Sequence, residues 1–222
     1  MKERTIPDSG IRLACMAIGI AFGLILATPA VASDANGNYA IRGIGSQDCK
    51  TLTDRLAQDK DIGVPLASWM LGYMSAVNRY EQTTFDITPI TDVRALTNIA
   101  VALCAKHPTA RFEVVLADML RALSRARVRS DSPIVDMKSG DATASLRQET
   151  LLLVQQRLNE RGVLKGKPDG SYGPQTEAAL KDYQKAEKLP VTGVADSATV
   201  IRLLIEQAPK EPPPKAPPPK KR

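Results

Sequence analysis

The sequence predicts an all-α protein, and three observations carry that prediction. Aromatic residues make up only 4% of the chain against 43% hydrophobic residues in all. A core therefore has to be assembled from Leu, Val, Ile, Ala and Met, which suits helical bundles better than sandwiches or barrels. Apolar residues recur at helical spacing in four stretches between Tyr39 and Arg127, and in three more between Leu146 and Ile205. Between these regions, residues 128–146 lose the periodicity and gain Ser, Asp, Pro and Gly, the composition of a linker. The expected architecture is a four-helix module over 39–127, a linker over 128–146 and a three-helix module over 147–206.

Ahead of the first module, residues 1–32 have the layout of a secretory signal peptide. Lys2, Arg4 and Arg12 precede an apolar run from Leu13 to Ala27, and Pro29 leads into the small-x-small site Ala30-Val31-Ala32. Cleavage is expected near Ser33. An uncleaved anchor is the alternative, although the run is shorter than the roughly 20 apolar residues that span a bilayer comfortably. Export to the periplasm or cell envelope is thus the expected localisation. Loss of the leader removes Cys15 and leaves Cys49 and Cys104, which in an exported protein read as one disulfide. Closing a loop of about 55 residues contributes about 4 kcal/mol in the chain-entropy account. A reactive thiol pair is the alternative, without a C-x-x-C motif to support it.

In the first module, Ser46 is the expected N-cap of a helix with Cys49, Leu52 and Leu56 on one face. Gly63 and Pro65 open a second, with Trp69, Tyr73, Ala76, Val77 and Tyr80 at helical spacing. Thr91 is the expected cap of a third, with Val93, Leu96, Ile99, Ala100 and Leu103 inward. His107 and Pro108 precede a fourth, with Phe112, Val115, Leu116, Met119 and Leu123 inward. The disulfide would join the first turn of the first helix to the last turn of the third.

In the second module, Leu151, Val154 and Leu158 share one face and Gly162 is a natural helix stop. Asp169-Gly170 reads as a tight turn, Gly173 as a site of close approach or positive φ, and Pro174 as a first helical residue. Thr176, Ala179, Leu180 and Tyr183 follow on a buried face. Val191-Thr192-Gly193 makes a second turn, and Asp196 caps a helix carrying Val200, Leu203 and Leu204. The turn-to-helix entries echo each other, Gly173 before Thr176 and Gly193 before Asp196. Residues 207–222 form a tail with seven prolines and a net charge of four positives, Lys210, Lys215, Lys220, Lys221 and Arg222 against Glu211. Much of the overall net charge of +6 therefore sits in the tail. An anionic wall or membrane surface is its candidate partner, a plain spacer is the alternative, and no nucleic-acid partner is expected.

The pattern Pro168-Asp-Gly-Ser-Tyr-Gly-Pro-Gln-Thr176, followed by Ala179-Leu-Lys-Asp-Tyr-Gln184, Thr192-Gly193, Asp196 and Thr199, resembles the peptidoglycan-binding domain type 1 family over about residues 147–206. The resemblance implies a three-helix fold and peptidoglycan as partner. A glycan–peptide polymer offers hydroxyls, acetamido methyls and carboxylates, so a binder needs a shallow groove with an aromatic or aliphatic floor and polar edges. Tyr172, Thr176, Tyr183 and Gln184 are the candidate contacts, with a core or capping role as the competing reading for each.

The order Cys49, Trp69-Met-Leu-Gly-Tyr-Met-Ser-Ala-Val-Asn78, Cys104, His107-Pro108 and Phe112 in the first module is similar to HdeA-type periplasmic acid-stress chaperones. That similarity implies a disulfide-tied helical protein without an active site. A module that binds another envelope protein, immunity-like, is equally open. No enzyme is expected. A single histidine, His107, and a bonded cysteine pair leave no metal set, and no G-x-S-x-G or H-E-x-x-H occurs. No cofactor is expected either. Glu81, Asp86 and Glu113 are the carboxylates one would examine for a cell-wall hydrolase, and they read as solvated positions.

Overall fold

The computed structural model describes residues 33–207, so the segment read as a signal peptide and all but the first residue of the tail lie outside the described residues. The chain divides into two units, Met1–Ala40 and the remainder from Ile41. In the first, the Asp34 carboxylate accepts from the backbone N–H groups of Asn36 and Asn38 and folds residues 34–38 into a loop.

The second unit is mostly helical. Helix α1, Cys49–Gln58, is capped by Asp48, whose carboxylate accepts from Thr51 N–H and hydroxyl. Asp48, two residues after the expected Ser46, is the cap because Ser46 belongs to a short 3-10 turn and its hydroxyl donates to Gly43 O. Helix α2, Gly63–Tyr80, buries Leu66, Met70 and Met74. The stripe expected from Trp69, Tyr73, Ala76, Val77 and Tyr80 is thus rotated from the core face. Trp69, Tyr73 and Val77 flank the core and Ala76 and Tyr80 are exposed. Trp69 stacks on Tyr73, leans on Phe112 and is closed over by backbone. Its indole N–H donates to Arg42 O, and a Cβ on Gly45 would collide with the ring.

The connection that leaves α2 turns inward, with Ile87 and Ile90 in the core and the Thr88 hydroxyl accepting from Ile90 N–H. Helix α3, Val93–Lys106, is capped by Asp92, which accepts from Arg94 and Ala95 N–H. Thr91, the expected cap, instead donates its hydroxyl to Ser145 O. Helix α4, Phe112–Leu123, buries every inward residue the periodicity picked out. Cys49 and Cys104 are disulfide-bonded, Cα atoms 5.0 Å apart, tying the first turn of α1 to the last of α3.

Residues 128–146, read as a linker, contain most of an antiparallel hairpin of β1, Ile134–Ser139, and β2, Ala142–Arg147, so the fold is not purely α. The register pairs Val135 with Leu146, Met137 with Ala144 and Ser139 with Ala142, which puts these six side chains on one face. Met137 and Leu146 are buried. A lone two-stranded hairpin is marginal in water, and packing its apolar face supplies what pairing alone does not.

Helix α5, Gln148–Glu160, ends at Gly162 with φ +70°, as expected. Helix α6, Pro174–Ala186, starts on Pro174. Helix α7, Ser197–Val200, is capped by Asp196 and continues as a π-helical stretch, Ile201–Glu206. Buried side chains from Cys49 to Leu204 form one hydrophobic cluster, to which the hairpin and both helical regions contribute. No helix among the described residues is long and apolar enough to cross a membrane.

Candidate functional site

The connection from α5 to α6 forms the wall of a groove enclosing about 460 Å³. Gly162 reverses the chain after α5, Val163 and Leu164 N–H donate to Leu158 O, and the Asn159 amide donates to Leu164 O and Gly166 O. The rest of the wall hangs on one side chain. Gln155, 2% exposed, accepts at Oε1 from Asp169 and Gly170 N–H. Its Nε2 donates to Asp169 Oδ1, Ser171 O and Thr176 Oγ1. Gly170, at φ +75°, lets the turn pass against α5, where a Cβ would meet Gln148 Cγ at 2.8 Å. The residues this frame presents to the groove are Lys167, Asp169, Ser171, Tyr172 and Gln175, with Leu164 and Pro174 between them.

A second turn repeats the arrangement. Gln184, fully buried, accepts at Oε1 from Gly193 N–H and donates from Nε2 to Thr192 Oγ1, Val194 O and Thr199 Oγ1. Gln155 with Gly170 and Thr176 therefore corresponds to Gln184 with Gly193 and Thr199. The correct alignment of the echo sets Gly173 against Asp196, since both are helix N-caps. Gly173 has φ −147°, extended backbone open to any residue, and a Cβ there meets nothing within 4 Å. The positive φ expected of it belongs to Gly170 and Gly193.

Of the four residues singled out as contacts, Tyr172 lies on the groove wall. It is half-buried and donates its hydroxyl to Gly193 O, linking the two turns. Burial raises its pKa, and the charge of Glu177 adds to the shift. Thr176 is 4% exposed and accepts from Gln155, so it offers little surface despite touching the groove. Tyr183 is buried and donates to Gln207 Oε1, its pKa pushed up to about 12 by burial and then by Glu187. Gln184 has no exposed surface at all. These three residues build the frame, for the physical reason that their polar atoms are already paired inside the protein. Tyr172 is the one with ring surface toward solvent.

Electrostatically the groove carries one charge of each sign. The Ser171 N–H and the Gln155 amide hold the Asp169 carboxyl below its usual range, and Lys167 supplies the cation. Beside it, Glu177 accepts from Ser139 at the end of β1 and pairs with Lys181 at 2.6 Å, which holds its pKa down and clips the hairpin to α6. Gln155, Lys167, Ser171 and Gln175 were not singled out by the sequence reading, and Asp169 was read only as a turn residue. The signal that could have found Gln155 is its place upstream of a D-G turn, matching that of Gln184 upstream of T-G.

The carboxylates considered for hydrolysis, Glu81, Asp86 and Glu113, sit in different settings. Glu81 is exposed at the end of α2. Asp86 bonds through its backbone to Val128, and burial raises its carboxyl pKa. Glu113, read as a surface position, is 4% exposed and accepts from Tyr73 OH at 2.7 Å. His107 ends α3, with its backbone N–H on Cys104 O.

A groove walled by a tyrosine ring, with amide and hydroxyl edges and one charge of each sign, suits a polar polymer of sugars and short peptides. Comparison with known families agrees. Residues 147–203 match the putative peptidoglycan binding domain. No curated protein and no solved structure matches the chain. The peptidoglycan-binding-like module thus covers about a quarter of the sequence, and its match takes in the whole groove and both glutamine-locked turns. Its presence supports peptidoglycan as a partner and an association with the cell envelope.

Proposed function

We propose that the chain is a non-catalytic envelope protein that holds peptidoglycan in the groove of Lys167, Asp169, Ser171, Tyr172 and Gln175. The observation that carries this reading is the coincidence of the family match with the groove. Sugar rings would lie against Tyr172, while hydroxyl and acetamido groups would take hydrogen bonds from Gln175, Ser171 and Lys167. Export through the leader, and contact of the basic tail with an anionic surface, belong to the same proposal. So does the division into modules, in which the disulfide-tied N-terminal half is presented to an envelope protein partner or, as the HdeA-type similarity suggests, to a client.

The test is co-sedimentation of the full chain with purified sacculi. The double variant K167A/Q175A removes exposed groove groups at little expected cost to stability, since surface substitutions usually stay within about 0.5 kcal/mol. It should pellet markedly less than the parent. Equal pelleting with and without sacculi sinks peptidoglycan binding, and equal pelleting of parent and variant sinks the groove as its site.

A further inference from the structure

A groove of about 310 Å³ lies between α2 and α4. Tyr73 and Val77 of α2 and Ala117 and Leu120 of α4 give it an apolar floor, and Glu81 and Arg121 add one charge of each sign. The Tyr73 ring is fixed from two directions. Its hydroxyl donates to Glu113 Oε1 at 2.7 Å, and its ring stacks on Trp69 with centroids 5.4 Å apart. It is thus an aromatic surface that needs no ordering when something lies against it. Arg121 is answered within α4, pairing with Asp118 at 2.6 Å. The groove and that pair together carry one net negative charge, which is that of Glu81.

The path of the chain says what covers this floor. Ser124 also lines the groove and begins a short 3-10 turn, Ser124–Ala126. That turn packs against the π-helical stretch Ile201–Glu206, from whose end residues 208–222 depart. Extended as polyproline-II at about 3.1 Å per residue, those residues reach roughly 45 Å. Packed elements are only about 8–10 Å apart, so the groove is well within reach. The segment holds one motif twice, Pro212-Pro213-Pro214-Lys215 and Pro217-Pro218-Pro219-Lys220. Proline rings on a polyproline-II turn suit an aromatic and aliphatic floor, and aromatic-lined grooves are general receptors for such segments. The fixed φ of proline keeps the ordering cost low, and the missing N–H groups leave no donors to be buried unpaired. Charge points the same way, a tail of four net positives against a groove of one net negative. The other candidate surfaces fit less well. The hollow of Leu103, Val114 and Met119 has no aromatic ring in its lining, and the charges of Lys167 and Asp169 cancel in the larger groove.

We infer that the proline–lysine tail docks in cis in the groove between α2 and α4. One proline triplet lies on Tyr73, Val77 and Ala117, and the lysine after it, Lys215 or Lys220, pairs with Glu81. With the first triplet seated, Lys220, Lys221 and Arg222 stay available to an anionic surface. The inference needs neither that surface nor glycan binding.

Zero-length carbodiimide coupling of the full chain, read by mass spectrometry, tests it. The main product involving the tail should join Glu81 to Lys215 or Lys220. It should persist at about 0.5 M salt, where pairing of exposed charges alone is strongly screened. A mixture of isotopically heavy and light chains should give this product within one chain; heavy–light products in its place would mean that a second copy is the occupant and overturn docking in cis. Replacing all six prolines of the two triplets by glycine keeps every lysine and touches no residue of the folded part. In that variant the Glu81 product should fall severalfold, and the resonances of Tyr73, Val77 and Ala117 should shift while those of Leu103 and Val114 stay in place. An undiminished product in the glycine variant, or its loss at 0.5 M salt in the parent, would show charge contact without proline docking and overturn the inference. Tail products spread evenly over exposed carboxylates such as Asp54, Asp118 and Glu160 would overturn it as well, as would groove resonances identical in the two chains.

Discussion

At the residue scale, the C-terminal module depends on two buried glutamines. Each holds a turn through backbone and threonine contacts that no apolar residue can replace. Gln184→Leu would leave Gly193 N–H buried without a partner and Val194 O with only the Thr192 hydroxyl, at about 1–3 kcal/mol for the orphaned group. The expected loss is about 2 kcal/mol or more in urea denaturation. A loss under about 1 kcal/mol would mean that the turn finds other partners. The glycines offer a sharper contrast. Gly193→Ala forces φ +77° on an L-residue and drives a Cβ to 2.6 Å from both Lys181 Cε and Ser139 Oγ, so it should cost roughly 1–3 kcal/mol. Gly173→Ala, at an extended N-cap with open space around it, loses only capping preference and should cost less, about 0.5–1 kcal/mol. The same denaturation series ranks them, and the reverse order would refute the assignment of strain. From sequence the glycines were visible but their conformations were not. A turn glycine and an N-cap glycine look alike until the backbone shows which needs the left-handed region. The burial of Tyr183 was legible from its helical spacing, but that of Gln184 was obscured for a related reason. A polar residue on an amphipathic helix reads as surface unless its partners, here 8 to 15 residues downstream, are recognised as one unit.

At the scale of elements, the hairpin is the main departure from the all-α expectation, and its signal was present. Val135, Met137, Ser139 and then Ala142, Ala144, Leu146 alternate across Gly140-Asp141, and Gly140 has the positive φ that a two-residue hairpin turn uses. Small residues made the alternation faint, and Ser, Asp and Gly nearby looked like linker composition. Helices α1, α3 and α4 were legible because their apolar spacing is strong. Their caps were displaced by one or two residues, since Ser46 and Thr91 were drawn into other hydrogen bonds. The hairpin's clip to α6 makes a pH prediction. The Lys181 ammonium and then the Ser139 hydroxyl hold the Glu177 pKa below its ordinary value of 4.5. The stabilisation from a depressed carboxyl is therefore present above the unfolded value and lost as pH falls through the folded one. Melting temperature should decline as pH drops below 4.5, and Glu177→Gln should make that decline shallower. An unchanged acid limb in the variant would remove the clip from the account of acid stability.

At the scale of the whole molecule, the sequence suggested two modules on a flexible join, and the contacts around the join suggest tighter coupling. The Arg147 guanidinium at the end of β2 lies 4.7 Å from the Phe85 ring centroid and pairs with Asp131. Glu149 in α5 holds the backbone of Arg129 and Ser130, and Thr91 bonds to β2. None of these links was predictable from local periodicity, because each joins residues about 16 to 62 positions apart through side chains that look solvated in sequence. With one hydrophobic cluster running from Cys49 to Leu204, the halves should lose structure together. Reducing the Cys49–Cys104 bond then becomes a test of the join. The loop it closes spans 55 residues of the N-terminal half, and its loss should lower stability by about 2–5 kcal/mol. Trp69 is the only tryptophan and reports the N-terminal half, while amide protons of α6 and α7 report the C-terminal one. If the halves are coupled, reduction should shift the fluorescence and amide transitions in urea by the same amount and leave them coincident. If the amide transition stays in place while the tryptophan transition moves, residues 128–146 act as a flexible join despite their hairpin, and the C-terminal module folds on its own.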